Sequence, residues 1–189
     1  AFGGEGLDRA GERRAKLGQH GLDHMVLADE EPVGLDLAGR MAVADMPSQR
    51  LIGLGDEIPF EGRMVQIVPG QGRSVQLLGD SLAVPGDPAQ AGVRVGAFLK
   101  VMARDRLAAA CDRHAAALGR RYTRITLRDT RSRWGSCAHD GALMFSWRLI
   151  MAPPTVLDYV AAHEVAHLIE MNHSAAFWAV VTRLYPRWQ

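Results

Sequence analysis

The fold is best predicted from residues 162–168, which read Ala-His-Glu-Val-Ala-His-Leu and contain the pattern His-Glu-x-x-His. An α-helix advances about 100° per residue, so His163 and His167 share one face, with their Cβ atoms about 6 Å apart. This spacing suits a tetrahedral Zn²⁺, which binds imidazole nitrogen at about 2.0–2.1 Å. Glu164 lies beside the first histidine, where it can take a proton from a water that the metal activates. The stretch therefore predicts a metal-binding helix with Glu164 as the general base.

The flanking residues indicate that this stretch is helical. Pro153 and Pro154 precede it, Thr155 is a candidate N-cap, and Asp158 falls in the first turn. An apolar stripe lies opposite the histidines, between about 120° and 200° when His163 is placed at 0°. It is formed by Leu157, Ala161, Val165 and Leu168. A helix with an apolar back favours a metal site over two solvated surface histidines.

Two residues compete to be the third metal ligand. On an unbroken helix Glu170 stays on the metal face at about −20°, whereas His173 falls off it at about −80°. Asn172 can end a helix, however, and Ser174 is a good N-cap for the next one. A helix that ends within about two residues of Asn172 would let His173 turn back to the metal. We expect His173 to be the ligand, and Glu170 to lie outside the coordination shell, hydrogen-bonded to a ligand histidine.

Length and composition set the outer limits. With 189 residues the chain can bury about 70% of its unfolded surface without disulfides, and its net charge of +1 implies no particular partner. Cys111 and Cys137 are expected to be reduced thiols of a cytoplasmic protein, and no apolar run is long enough for a membrane span. Glycines interrupt residues 1–50, which we interpret as a poorly defined arm or short strands. Residues 51–189 are predicted to form a hydrolase domain.

Alternating and helical patterns sharpen after residue 57. Strands at 64–68, 74–78 and 81–84 are predicted to form a β-meander, with a tight turn at Gly79-Asp80. Residues 89–118 predict a long helix that backs the domain. A strand at 122–128 is followed by a hairpin turn at Asp140-Gly141, and the returning strand at 142–148 is expected to form the lip of the active-site cleft.

Arginines are concentrated at residues 120–133, where six of them stand against one acid, Asp129. The simpler interpretation is a solvated strand face with ion pairs. The functional alternative is an anion site near the metal, for phosphate or nucleic acid. The candidate substrate-binding residues are Arg131, Arg133, Trp134, Ser136 and Arg148.

Several motifs recur in an order that resembles the YgjP-like metallopeptidases, relatives of the SprT-type zincins. They are Arg-Trp-Gly-Ser-Cys at 133–137, Ser-Trp-Arg-Leu-Ile-Met-Ala-Pro-Pro at 146–154, Asp-Tyr-Val at 158–160, and the run from His163 to Trp178. The resemblance implies zinc ligands at His163, His167 and His173 and a general base at Glu164. It also implies an α+β, zincin-like fold in which a twisted, mostly antiparallel sheet packs on the long helix and the metal helix. Residues 1–50 do not share the resemblance.

Three functions follow from these observations. The first is a metallopeptidase that binds one Zn²⁺ per chain and cleaves peptide or protein substrates with Glu164 as general base. The second is a nucleotide pyrophosphatase, an activity attributed to some members of the family, in which the arginines would neutralise phosphates. The third is a protease that the basic strand tethers to nucleic acid. The metal motif favours the first, and the positions of Arg131, Arg133 and Arg148 relative to the metal would separate it from the others.

Overall fold

The computed structural model describes residues 52–130 and 132–186. The prediction of an arm or short strands at residues 1–50 lies outside these ranges. The described chain is mixed α+β, as predicted, and has a four-stranded sheet, a three-stranded sheet and three α-helices. None of its described helices is both long and apolar enough to span a lipid bilayer.

The first sheet contains β1 (Glu57–Phe60), β2 (Arg63–Pro69), β3 (Gln76–Leu78) and β4 (Ser81–Val84), in the order β1-β2-β4-β3. The predicted turn at Gly79-Asp80 is confirmed, because it joins the antiparallel strands β3 and β4. The predicted meander is wrong, because β4 pairs in parallel with β2 and pushes β3 to the edge.

Burial explains this strand order. Three consecutive residues of β4, Leu82, Ala83 and Val84, are buried, whereas β3 is largely exposed. A strand with a continuous apolar run is stable in the interior of a sheet, where neighbours and layers cover it. After β2 the chain passes very close to the end of β4. A Cβ built on Gly70 would lie only 2.7 Å from the carbonyl carbon of Ala83. This close crossing leaves no room for β3 between the two strands.

The long helix α1 (Ala91–Leu118) confirms the predicted backing helix. A 3₁₀ helix, Pro88–Gln90, leads into it, and the Asp87 carboxylate accepts a hydrogen bond from the Ala89 amide at 2.9 Å. Gly119 ends α1 in the left-handed conformation, with φ at 64°, which only glycine adopts without strain. The buried face of α1 carries Val95, Leu99, Ala103, Leu107, Ala110, Cys111 and His114. This face packs on the helix α2 (Pro154–Ala166) and on the 3₁₀ helix Trp147–Met151.

The second sheet contains β5 (Arg124–Arg128), β6 (Gly135–Cys137) and β7 (Ala142–Ser146), in the order β5-β7-β6. The predicted hairpin turn is confirmed, since Asp140 Oδ1 accepts a bond from the Ala142 amide at 3.0 Å and Gly141 has φ at 75°. β6 and β7 pair antiparallel, and β5 and β7 pair parallel. Three of the five pairings between described strands are antiparallel, as predicted, but these strands form two sheets instead of one, and each sheet contains a parallel pair.

The prediction that the returning strand forms the lip of the active-site cleft is also wrong. The returning strand ends at Ser146 instead of residue 148, and β7 is the central strand of its sheet. Leu143 and Phe145 are almost fully buried, so β7 needs neighbours on both sides. The edge strand next to the metal-motif helix is β6.

The helix α2 (Pro154–Ala166) carries the His-Glu-x-x-His pattern, and α3 (Ala175–Leu184) follows it. α2 begins with Pro154 after Pro153 at the N-cap, not after Thr155. Its predicted apolar back is confirmed, because Leu157, Ala161 and Val165 are buried.

α2 ends at Ala166, so the predicted end within two residues of Asn172 is wrong. The chain tightens there into three-residue turns, with the Leu168 amide donating to the Val165 carbonyl and the Ile169 amide to the Ala166 carbonyl, both at 3.0 Å. The helix therefore stops well before His173, which leaves the following segment free to fold back.

Candidate active site

Three imidazoles converge at the C-terminal end of α2. His163 lies in the last turn of the helix, His167 is its C-cap, and His173 belongs to the segment that leads to α3. One ring nitrogen of each lies within 4.8 Å of the others, and the Nε2 atoms of His163 and His173 are 3.0 Å apart. Two nitrogens bound tetrahedrally at about 2.0–2.1 Å from one ion would be about 3.3–3.4 Å apart. The cluster therefore has the size that a single zinc-like ion requires.

A main-chain contact sets the tautomer of His167. Its Nδ1 lies 2.9 Å from the carbonyl oxygen of Glu170. A carbonyl can only accept a hydrogen bond, so Nδ1 carries the proton and Nε2 keeps the free lone pair that a metal needs. Glu170 thus touches a histidine of the cluster through its backbone, whereas we had expected its carboxylate to do so. The carboxylate of Glu170 is not part of the histidine cluster.

Two aromatic residues of α3 pack against the imidazoles. Phe177, which is fully buried, stacks on His167 with ring centroids 4.5 Å apart and meets His163 and His173 edge-on at 4.9 and 4.6 Å. Trp178 stacks on His173 at 5.9 Å. Sequence analysis did not assign these aromatics to the site. Their position directly after Ser174 was the available signal, because a helix that begins there brings its first turn against His173.

The start of α3 is fixed by its cap. The Ser174 hydroxyl accepts a hydrogen bond from the Phe177 amide at 3.4 Å, as expected of an N-cap serine. This confirms the predicted role of Ser174. The cap holds Phe177 in place, and Phe177 in turn orients all three rings.

The environment keeps His163 neutral. Burial, together with the neighbouring His167 and His173, lowers its pKa from 6.5 to about 3. A neutral imidazole is the form that binds a divalent metal, because protonation removes the lone pair. Donor type, spacing and charge state of the cluster therefore all fit a metal ion.

Glu164 follows His163 on α2 and is 7% exposed. Burial raises the pKa of its carboxyl to about 8, and the positive charge of Arg133 opposes that shift. A dication held by the histidines would lower the pKa as well, since it stabilises the ionised form. The carboxyl is thus one residue from the cluster, shielded from bulk water and able to exchange a proton near neutral pH. Next to it lies Gly135 of β6, a residue that sequence analysis did not single out.

The arginines among the candidate substrate residues differ in their contacts. Arg148 donates two hydrogen bonds to the carboxylate of Asp129, at 2.7 and 3.2 Å, and its guanidinium lies over the ring of Trp147 at 4.8 Å. Arg131 lies outside the described residues. Arg133 is exposed, and its charge acts on Glu164. Arg148 is thus held in an ion pair, and Arg133 is the described candidate whose charge acts on Glu164.

The other two candidates belong to the framework beside Glu164. Trp134 packs against the hydrophobic core, and its carbonyl accepts a hydrogen bond from the Ser146 amide at 2.9 Å. Ser136 lies in β6 opposite Met144 of β7. Both residues help to hold β6 in register next to α2.

Such a helix, with His-Glu-x-x-His and a further histidine from the next segment, is typical of metal-dependent peptidases. The family model for the YgjP-like metallopeptidase domain matches residues 37–189. The chain therefore belongs to the YgjP-like metallopeptidase family, as the motifs of the sequence indicated. No curated protein matches it. Among solved structures, the crystal structure of the metallopeptidase zymogen of Pyrococcus abyssi abylysin is 19% identical, with a TM-score of 0.39, over 42% of this chain and 80% of that one.

Proposed function

We propose that this protein is a zinc-dependent peptidase with a zincin-like active site, in which His163, His167 and His173 bind the metal and Glu164 is the general base. One observation carries the proposal: three imidazole nitrogens lie within 4.8 Å of one another, and the residue that follows His163 on α2 is the buried Glu164. Membership of a metallopeptidase family supports it.

The choice of zinc rests on the donor set. Within the described residues the cluster offers three nitrogens and neither a carboxylate nor a thiolate. Nitrogen donors suit zinc, whereas Mg²⁺ and Ca²⁺ prefer oxygen. When bound at three protein ligands, Zn²⁺ acts as a Lewis acid and lowers the pKa of a coordinated water toward about 7.

Glu164 performs the proton transfers. Its carboxylate accepts the proton of the attacking water and passes it to the nitrogen of the leaving amine, so the peptide bond breaks without a free amide anion. Burial of Glu164 favours both proton transfers. It raises the proton affinity of the carboxylate, and it keeps bulk water from exchanging protons with it. Its place next to His163 on α2 fixes its distance from the metal ligands.

We propose that the substrate binds along the outer edge of strand β6. Within residues 52–130 and 132–186, β6 pairs with β7 only, and it lies against α2. An extended peptide can add to such an edge through main-chain hydrogen bonds, which accept many side chains. The strand that we expected to do this, 142–148, is replaced by β6 because β7 already has two neighbours.

Hydrolysis of nucleotides is less well supported. A phosphoanhydride substrate needs several cations close to the metal. Arg148 is paired with Asp129, and Arg133 is the described arginine whose charge acts on Glu164. A nucleic-acid tether would need a larger basic surface than a chain of net charge +1 suggests. Peptide hydrolysis requires neither feature.

The proposal is tested with the purified full-length chain, supplied with zinc and incubated with unfolded proteins and, separately, with nucleoside triphosphates. We expect new peptide termini by mass spectrometry, loss of cleavage with a chelator, and recovery when zinc is returned. Release of phosphate or pyrophosphate without peptide cleavage would support the nucleotide alternative. Peptide cleavage that is insensitive to the chelator would contradict the metal mechanism.

A further inference from the structure

Gly135 is the one glycine within the described strands. Its φ is not in the left-handed range, so its backbone does not require glycine. A glycine inside a strand costs stability, because it loses more conformational freedom on folding and packs no side chain. Glycine at such a position often marks a place where another group comes very close.

The group that comes close is Glu164. A Cβ built on Gly135 would lie 2.5 Å from Oε1, 2.6 Å from Cγ and 2.8 Å from Cδ of Glu164. All three distances are shorter than those between non-bonded atoms in folded proteins. The carboxylate therefore occupies the space that any side chain at position 135 would need.

The backbone on each side of this contact is held in place. Gly135 is paired in the sheet with Phe145, which is fully buried on the central strand β7. Glu164 is 7% exposed and stands on a helix whose back is buried in the core. A methyl group at position 135 would hence push the carboxylate out of its present place rather than move the strand.

We propose that Gly135 is a positioning residue: its missing side chain leaves the space in which the Glu164 carboxylate is held beside the metal-binding histidines. This inference rests on the proposed function, because it assigns importance to where the carboxylate stands. It also predicts which property suffers. The far end of a glutamate can rotate, so substitution at 135 affects proton transfer more than folding.

The catalytic test is Gly135→Ala, measured with a quenched fluorescent peptide that the parent cleaves. We expect kcat to fall about 10²-fold, the loss typical of an ångström-scale misplacement of a reacting group. KM and the zinc content should change little, because the backbone of β6 and the three histidines are retained. Gly96→Ala is the matched control: it lies on α1 with nothing within 4 Å of its Cβ position, and it should keep the parent kcat.

A second test does not depend on activity. The atoms that meet the new methyl group all lie beyond Cβ of Glu164, so Glu164→Ala removes them. Gly135→Ala should therefore raise Tm in the Glu164→Ala background, as alanine does in an open strand, and fail to raise it in the parent. Thermal melts of the four proteins measure this coupling.

The two tests separate the inference from the proposed function. If the parent cleaves no peptide, the proposed function fails, and the melts still decide whether Gly135 and Glu164 exclude each other. If the parent is a peptidase but Gly135→Ala keeps its kcat, the positioning role is wrong. Equal Tm shifts in both backgrounds would show that the close contact does not exist in solution.

Discussion

At the residue scale, each histidine of the cluster is held by a different neighbour. His167 is oriented by the Glu170 carbonyl, His173 by the stacked ring of Trp178, and His163 meets the ring of Tyr159, while Phe177 packs against all three imidazoles. None of these contacts involves the carboxylate of Glu170. Of the two residues that the sequence suggested as third ligand, His173 contributes a ring nitrogen to the cluster, whereas Glu170 contacts the cluster through its backbone carbonyl.

His173→Ala should therefore abolish most zinc affinity, because it removes one of three donors. Glu170→Ala should change the affinity less than about 10-fold, below the range typical of lost supporting contacts, since the substitution keeps the main-chain carbonyl that fixes His167. Competition with a chromophoric chelator measures both variants. A loss in Glu170→Ala as large as that in His173→Ala would show that the carboxylate binds the metal.

The pKa of Glu164 makes a prediction about the metal-free protein. Its folded pKa is raised to about 8 from a usual value of 4.5, so the folded state binds more protons than the unfolded state between these values. Stability from this group is thus present at low pH and is lost as pH rises through 8. The lowered pKa of His163 acts in the opposite direction, but only below about its usual value of 6.5.

Chelator-treated protein should consequently have a higher urea midpoint at pH 6.5 than at pH 8. Glu164→Gln cannot ionise, so the same measurement on this variant should show a smaller difference between the two pH values. An unchanged pH dependence in Glu164→Gln would mean that another group causes it.

At the element scale, the turn between α2 and α3 creates the site. Helical phase alone placed Glu170 on the metal face, and the residues around Asn172 indicated a later break than the one observed at Ala166. The helix stops early because the His167 side chain bonds the Glu170 carbonyl while the chain tightens into three-residue turns. A side-chain contact of this kind is not encoded in helix propensities, so the sequence could predict the break but not its position.

Substitution of Phe177 tests whether α3 supports the three histidines of the cluster. Phe177→Leu keeps an apolar group in a buried position but removes the flat surface that packs on three imidazoles. We expect zinc affinity to fall about 10–100-fold, as for other losses of support around metal ligands. The matched control is Val181→Ala, one turn further along α3 and equally buried. It should lower the free energy of unfolding without a comparable loss of zinc affinity, and equal zinc losses in both variants would contradict the role of Phe177.

At the scale of the whole molecule, α1 and α2 form the base on which the site is built. His114 is buried on α1, and its Nε2 lies 2.8 Å from Oδ1 of Asp158 in α2. Arg113 donates to the same oxygen at 2.7 Å. This link joins the first turns of the metal-motif helix to the longest helix of the domain, so the histidines project from a rigid support.

Local patterns in the sequence predicted α1, the hairpin turns at Gly79-Asp80 and Asp140-Gly141, and the apolar back of α2. They did not predict which strands become neighbours, since β4 and β7 each pair in parallel with a strand that is not the preceding one in the chain, and a local pattern does not record such a pairing. The contact of Gly135 with Glu164 was hidden for the same reason. It joins a strand and a helix 29 residues apart and leaves no periodic signal.

The central claim is that Glu164 transfers protons during metal-dependent peptide cleavage. The direct measurement compares the parent and Glu164→Gln, each shown by elemental analysis to hold one zinc per chain. Glu57→Gln, at an exposed position of β1, is the matched control. The account predicts that Glu164→Gln keeps its zinc and its fold and loses peptide cleavage by on the order of 10²-fold or more, while Glu57→Gln cleaves like the parent. A zinc-loaded Glu164→Gln protein that cleaves peptide at the parent rate would contradict it.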